Sequence, residues 1–138
     1  MIGVIGAGAF GTAMAVALGR DGREVMLWAR DTAHVADMAA TRRNQARLPG
    51  VDLPVSVSVT ADLADLAGAE AVLLSLPMQA LRGFLAERQG VLNGLPLVAC
   101  CKGVDLTTLR GPTLGAPCSA VRMATVVTAP AWSRSSRA

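Results

Sequence analysis

Gly6-x-Gly8-x-x-Gly11 stands where an apolar opening run, Met1 to Ile5, gives way to an alanine-rich segment, Thr12 to Arg20. The pattern is restrictive because each glycine has a separate steric task. Gly6 permits a tight turn, Gly8 offers no side chain to block a diphosphate from the backbone, and Gly11 lets the following helix lie close against a sheet. The first-turn N–H groups of such a helix lack intrahelical acceptors, and the helix dipole adds to their attraction for an anion. Small residues also serve tight helix packing with no ligand present, so the order of elements decides. Ile2, Val4 and Ile5 supply a strand, Thr12 to Arg20 a helix, Asp21-Gly22 a turn, and Glu24 to Trp28 a second strand. This closes a βαβ unit of roughly thirty residues, the setting in which these glycines hold a dinucleotide.

The rest of the chain continues the alternation. Asp31 is an N-cap for a helix through about Arg43, with Val35, Met38 and Ala39 at helical spacing and Arg42 and Arg43 at the negative dipole end. Leu48 to Pro54 reads as a loop, and Val55-Ser-Val-Ser-Val59 alternates as a half-buried strand. Thr60 is expected to cap a short helix containing Leu63 and Leu66. Ala69 to Leu76 is a buried strand ended by Pro77, Met78 to about Gln89 an amphipathic helix, and Leu95 to Cys101 another buried strand. Alternation of this kind predicts an α/β fold, a Rossmann-type doubly wound, mostly parallel sheet with helices on both faces and ligand at the carboxyl ends of its strands. Residues 1–110 form the nucleotide-binding domain in this reading, and 111–138 an atypical continuation of it. Met123 to Thr128 still reads as a strand, whereas Gly111 to Pro117 is expected to pack poorly and the polar end from Ser133 to be disordered.

Composition narrows the classes of function. With 138 residues, 52% of them hydrophobic and 17% charged, the chain suits one domain whose parallel sheet is covered on both faces, or one with surface reserved for another domain. A net charge of +3 with scattered arginines and few aromatics argues against nucleic-acid binding. Cys100, Cys101 and Cys118 lack metal-ligand spacing, and the adjacent pair at a strand end reads as small apolar thiols in a reducing compartment. No apolar run reaches the length of a membrane span, and the opening residues form a strand without a basic leader. A cytoplasmic protein with no membrane insertion is expected.

Candidate site residues gather at the predicted strand ends. An acidic residue about twenty positions beyond the glycines would hold a ribose 2′-hydroxyl, but Arg30 occupies that place. A guanidinium there suits a 2′-phosphate through charge-assisted hydrogen bonds and can stack on adenine, so NADPH is the expected cofactor. Asp31 is near enough to reach a ribose, which keeps NAD open as a second cofactor. Ala9 and Phe10 lie in the glycine turn, where Phe10 either walls the cofactor or packs against the fourth strand. Pro77 stops a strand where the nicotinamide ribose passes. Lys102, the only lysine of the chain, precedes Gly103 at a strand mouth, where it could hold a phosphate or a developing alkoxide. His34 is expected on the exposed side of the second helix. No Ser/His/Asp set and no paired-carboxylate site stands out.

Taken together, Ile2 to Ala13, Val25 to Arg30, Leu48 to Pro54, Thr60 to Leu63, Leu76 to Arg82 and Cys101 to Gly103 resemble the amino-terminal half of bacterial NAD(P)-dependent glycerol-3-phosphate dehydrogenase. The matches run in order and with family spacing through residue 110. The resemblance implies reversible hydride transfer between NAD(P)H and dihydroxyacetone phosphate, giving sn-glycerol 3-phosphate for phospholipid synthesis. It also implies that Ala9, Phe10 and Arg30 line the NADPH site and that Lys102 touches cofactor and substrate. Ala9 replaces the commoner serine. The family's substrate segment falls at Thr128 to Ser133, where Pro130 survives but Ala129 and Ala131 replace a glycine and a hydroxyl residue.

The family's general acid/base lysine belongs to a carboxyl-terminal helical domain that these 138 residues do not reach, so binding of dinucleotide with little turnover is expected. Loss of such a proton donor costs on the order of 10²–10⁴-fold in rate. The alternative is a catalytically silent nucleotide-binding module. A third reading, a ketopantoate or sugar-acid reductase of the same fold, fits the Leu48 to Pro54 loop and Cys101-Lys-Gly103 less well. Surface that the helical domain normally covers would be partly apolar, so self-association is expected as well.

Overall fold

Strand β1, Ile2–Ile5, lies at the centre of the sheet because its residues are apolar toward both faces: Val4 and Ile5 point to opposite sides and neither is exposed to solvent. The structure is a computed structural model that describes residues 1–101, 106–107 and the backbone of 123–125. Around β1 are arranged α1 (Ala9–Arg20), β2 (Val25–Trp28), α2 (Thr32–Thr41), β3 (Val57–Thr60), a 3₁₀ turn (Leu63–Leu66), β4 (Ala71–Leu74), α3 (Met78–Leu92), β5 (Leu97–Ala99) and β6 (Met123–Thr125). All strand pairs are parallel, in the order β3-β2-β1-β4-β5-β6. This is the doubly wound Rossmann order. Its direction reverses at β1, where Ile5 pairs with Trp28 on one side and Leu74 on the other.

Alternation along the strands divides the core in two. Val4, Val25, Leu27 and Val57 join Ala15, Val16 and Met38 from α1 and α2. Ile5, Trp28, Val72 and Leu74 join Leu66, Leu81 and Leu85 from the 3₁₀ turn and α3. Truncating a fully buried leucine such as Leu74 to alanine costs about 2–5 kcal/mol through lost transfer energy and the cavity left behind. Trp28 is fixed further by an Nε1 hydrogen bond to the Ala61 carbonyl (2.9 Å) and a tilted ring contact with Phe84.

The expected element types are all present, and several boundaries move. The helix after Asp31 stops at Thr41, and Arg42 adopts a left-handed backbone with φ 56°. The Arg42 guanidinium bonds the carbonyls of Leu53, Pro54 and Val57, while Arg43 pairs with Asp52. Both arginines close the following loop instead of complementing a helix dipole. β3 starts two residues later than the alternation suggests, because Val57 N–H bonds Pro54 O in a turn that leaves Val55 99% exposed. The 3₁₀ turn is capped by Asp62, not Thr60; Thr60 Oγ1 instead accepts from Asp62 N–H and donates to Asp65. α3 runs on to Leu92 through Gly90, and β4 and β5 are trimmed to Ala71–Leu74 and Leu97–Ala99. The expectations for Gly111 to Pro117, Cys118 and the Ser133 end lie outside the described residues.

Candidate functional site

The glycine turn links β1 to α1, and its three glycines answer to different neighbours. Gly6 has φ +109°, and a Cβ there would stand 2.6 Å from Ser75 O. A Cβ on Gly11 would stand 1.9 Å from Gly6 O. Those two are fixed by the chain's own packing. Gly8 differs, since its backbone is ordinary (φ −74°) and an added Cβ would meet nothing within 4 Å. Open space in front of Gly8 is what a backbone-hugging anion requires.

Gly8 is also the N-cap of α1 and gives that helix no side-chain cap. The first intrahelical bond runs from Thr12 N–H to Gly8 O (2.9 Å), so the N–H groups of Ala9, Phe10 and Gly11 have no helical acceptor. No acidic residue stands in the first turn to compete for them. A buried amide braces the turn from behind. Asn44 Nδ2 donates to Ala7 O (3.0 Å) and to Thr12 Oγ1 (2.7 Å), and Asn44 Oδ1 is buried without a partner among the described residues.

A cleft of about 930 Å³ opens over this turn at the reversal of strand order. Gly6, Ala7 and Gly8 form its middle, Arg30 and Asp31 its wall beyond β2, and Ser75, Leu76 and Pro77 its wall beyond β4. The Asp31 carboxylate caps α2 by accepting from Ala33 N–H (2.9 Å) and His34 N–H (3.3 Å). Arg30 is exposed and has no ion-pair partner among the described residues.

Of the residues expected at the site, Gly6, Gly8, Arg30 and Pro77 come together in the cleft. Gly11 is buried beneath the turn. Ala9 and Phe10 sit exposed in the first turn of α1, apart from the cleft lining, with Phe10 57% exposed. Lys102, Ala129 and Ala131 lie outside the described residues. His34 corrects the expectation of a surface histidine: the Asp31 cap winds the first turn of α2 so that His34 lines the cleft, with Nε2 buried and unpartnered among the described residues. Sequence reasoning also missed Asn44 and Arg47. Both belong to the loop after α2, and nothing in the local pattern distinguishes them from ordinary loop residues.

The residues present fit a dinucleotide: bare amides and open space for a diphosphate, a carboxylate and a guanidinium beyond β2, and a cleft at the sheet's switch point. Residues 1–116 match the family model for the NAD-dependent glycerol-3-phosphate dehydrogenase N-terminus. The chain belongs to that family. It is 50% identical over 111 residues to the glycerol-3-phosphate dehydrogenase [NAD(P)+] of Roseobacter denitrificans, covering 80% of this chain and 34% of the relative. The Paracoccus denitrificans enzyme of the same name is 48% identical over 133 residues, with 95% and 40% covered. Among solved structures, the glycerol-3-phosphate dehydrogenase of Coxiella burnetii superposes with a TM-score of 0.80 at 26% identity, covering 90% of this chain and 39% of that one. The chain thus spans about a third of the length of the relatives it matches.

Proposed function

We propose that this chain supplies the cofactor-binding part of a cytoplasmic glycerol-3-phosphate dehydrogenase. The reaction is NADPH-dependent reduction of dihydroxyacetone phosphate to sn-glycerol 3-phosphate, feeding glycerophospholipid synthesis. The observation that carries the reading is the empty approach to Gly8 beside uncapped α1 amides, at the point where strand order reverses. When bound, NADPH supplies the hydride. The chain's own residues orient that cofactor: the Ala9, Phe10 and Gly11 amides hold the diphosphate, Arg30 meets the 2′-phosphate, and Pro77 borders the nicotinamide ribose. NAD is accepted as the weaker cofactor, through Asp31 on the ribose.

Lys102 follows Cys101 at the carboxyl side of β5 and is assigned to both cofactor and substrate phosphate. Ala129 and Ala131 occupy the family's substrate segment with fewer polar contacts. No helix among the described residues is long and apolar enough to cross a membrane. Self-association belongs to the same reading.

Calorimetric titration of the 138-residue chain with NADPH and NADH tests it, with Arg30→Ala as the first variant. Binding of both nucleotides, with NADPH tighter and selectively weakened in the variant, is expected. Absence of heat with either nucleotide overturns the proposal. A parallel assay of NADPH oxidation with dihydroxyacetone phosphate separates a competent reductase from a silent binding module.

A further inference from the structure

We infer that Arg47 is a specificity-determining residue which, with Arg30, forms a two-guanidinium site for the ribose 2′-phosphate of the dinucleotide. The inference rests on the nucleotide-binding reading above and names which residue decides between its two cofactors. Arg30 is not the only charged residue at this end of the cleft. It stands next to Asp31, whose carboxylate caps α2, so the end of β2 carries one residue of each charge. On α3, Glu87 and Arg88, one residue of each charge, also line the cleft. Arg47 is the cation left over. It lines the same cleft as Arg30, is exposed, and has no ion-pair partner among the described residues.

Other described arginines of the loop are committed elsewhere. Arg42 bonds three backbone carbonyls and Arg43 pairs with Asp52. These contacts close the two ends of the loop, and Asn44 anchors the turn that follows its first residues. Asn44 O accepts from Arg47 N–H (3.2 Å) and Leu48 N–H (2.7 Å), while the Asn44 side chain grips Ala7 and Thr12. Arg47 is therefore carried on a short turn tied directly to the glycine bend. The turn fixes where the Arg47 side chain leaves the backbone, and the planar fork of a guanidinium matches two phosphate oxygens. The 2′-phosphate is the group that separates NADPH from NADH, so a cation aimed at it changes affinity for one nucleotide only.

Calorimetry of the full chain with NADPH and with NADH, in wild type, Arg47→Gln, Arg47→Lys and Arg43→Gln, tests the assignment. For Arg47→Gln the NADPH Kd is expected to rise about tenfold, the change given by one lost charge-assisted hydrogen bond, with NADH affinity held within about twofold. Arg47→Lys should fall between, since it keeps charge and loses the fork, and Arg43→Gln should leave the NADPH/NADH ratio unchanged. Equal weakening of both nucleotides would put Arg47 on the shared diphosphate and overturn the inference while leaving the nucleotide-binding reading intact. No effect on either nucleotide would overturn it in the same limited way. A wild-type chain that binds neither nucleotide removes both readings together.

Discussion

Asn44 Nδ2 lies 3.0 Å from the carbonyl oxygen of Ala7, joining a loop residue to the glycine turn across 37 positions of sequence. The same nitrogen reaches Thr12 Oγ1 at 2.7 Å, so one fully buried amide fixes both the turn and the first bonded residue of α1. Replacing Asn44 with leucine removes both bonds and leaves the Ala7 carbonyl and Thr12 hydroxyl buried. The expected destabilisation is about 1–3 kcal/mol per stranded group, read from urea unfolding. At temperatures where the variant is still folded, its affinity for ADP-ribose, which carries the diphosphate, should fall while that for adenosine, which carries neither the diphosphate nor the 2′-phosphate, stays the same. Equal loss for both ligands would show that Asn44 acts only through stability.

The three glycines should separate packing from ligand approach. Gly8→Ala is expected to unfold at the wild-type urea midpoint, because its added methyl meets open space at an ordinary backbone conformation. Its nucleotide affinity should nonetheless fall at least tenfold, since the methyl occupies the anion's approach. Gly11→Ala drives a methyl into Gly6 O and should lose stability first. Gly6→Ala adds strain from a positive φ to a collision with Ser75 O, so it belongs with Gly11. A Gly8→Ala variant that binds NADPH normally would remove the diphosphate from this turn.

These cases mark where sequence carried the fold and where it stopped. β1, the glycine turn and α1 are legible because hydrophobic runs and glycine spacing act over a few residues. The boundaries that shifted depend on contacts across many positions: Arg42 reaches the carbonyls of Leu53, Pro54 and Val57, and those bonds end α2 at Thr41 and turn the chain before β3. Arg30 could be placed at the site because it ends a strand. Asn44, Arg47 and His34 could not, since a loop residue or a helix residue near a cap enters the cleft only through tertiary packing. His34 shows the limit well: its exposed-looking position on α2 becomes a cleft wall once Asp31 sets the helix's starting direction.

The loop bearing Arg47 should loosen in acid. The Arg43 guanidinium, by hydrogen bond and then by charge, holds the Asp52 carboxyl below the usual carboxylate range. A lowered folded pKa means that the pair contributes at pH above the ordinary carboxylate value and that this contribution is lost as pH falls through the lowered one. Both partners are exposed, so the global effect is small. Hydrogen exchange of the Leu53 amide, which bonds Arg42 O beside this pair, is the sensitive measure. Relative to Asp52→Asn, wild type should show stronger protection at neutral pH, and the difference should vanish in acid. Equal protection at every pH would mean that the ion pair does not hold the loop.

Cys100 and Cys101 should be sluggish thiols. Burial, the larger cause, pushes both above the usual cysteine value, and the neighbouring Cys101 adds to the rise at Cys100. Cys101 Sγ lies 3.9 Å from Met78 Sδ and Cys100 Sγ 3.6 Å from the Val98 carbonyl, and neither of these contacts is with a cation that would favour a thiolate. In a Cys118→Ser background, thiol-disulfide exchange with a coloured aromatic disulfide at neutral pH should run slower in the folded chain than in urea. The linkage has the opposite sign to that of Asp52. A raised folded pKa stabilises the fold below the unfolded thiol value, and this stabilisation is lost as pH rises through the folded one. The urea midpoint should therefore fall more steeply in alkali for this background than for a chain with Cys100 and Cys101 also replaced by alanine. Rapid modification of the folded chain at neutral pH would instead mark the pair as reactive and return redox chemistry to consideration.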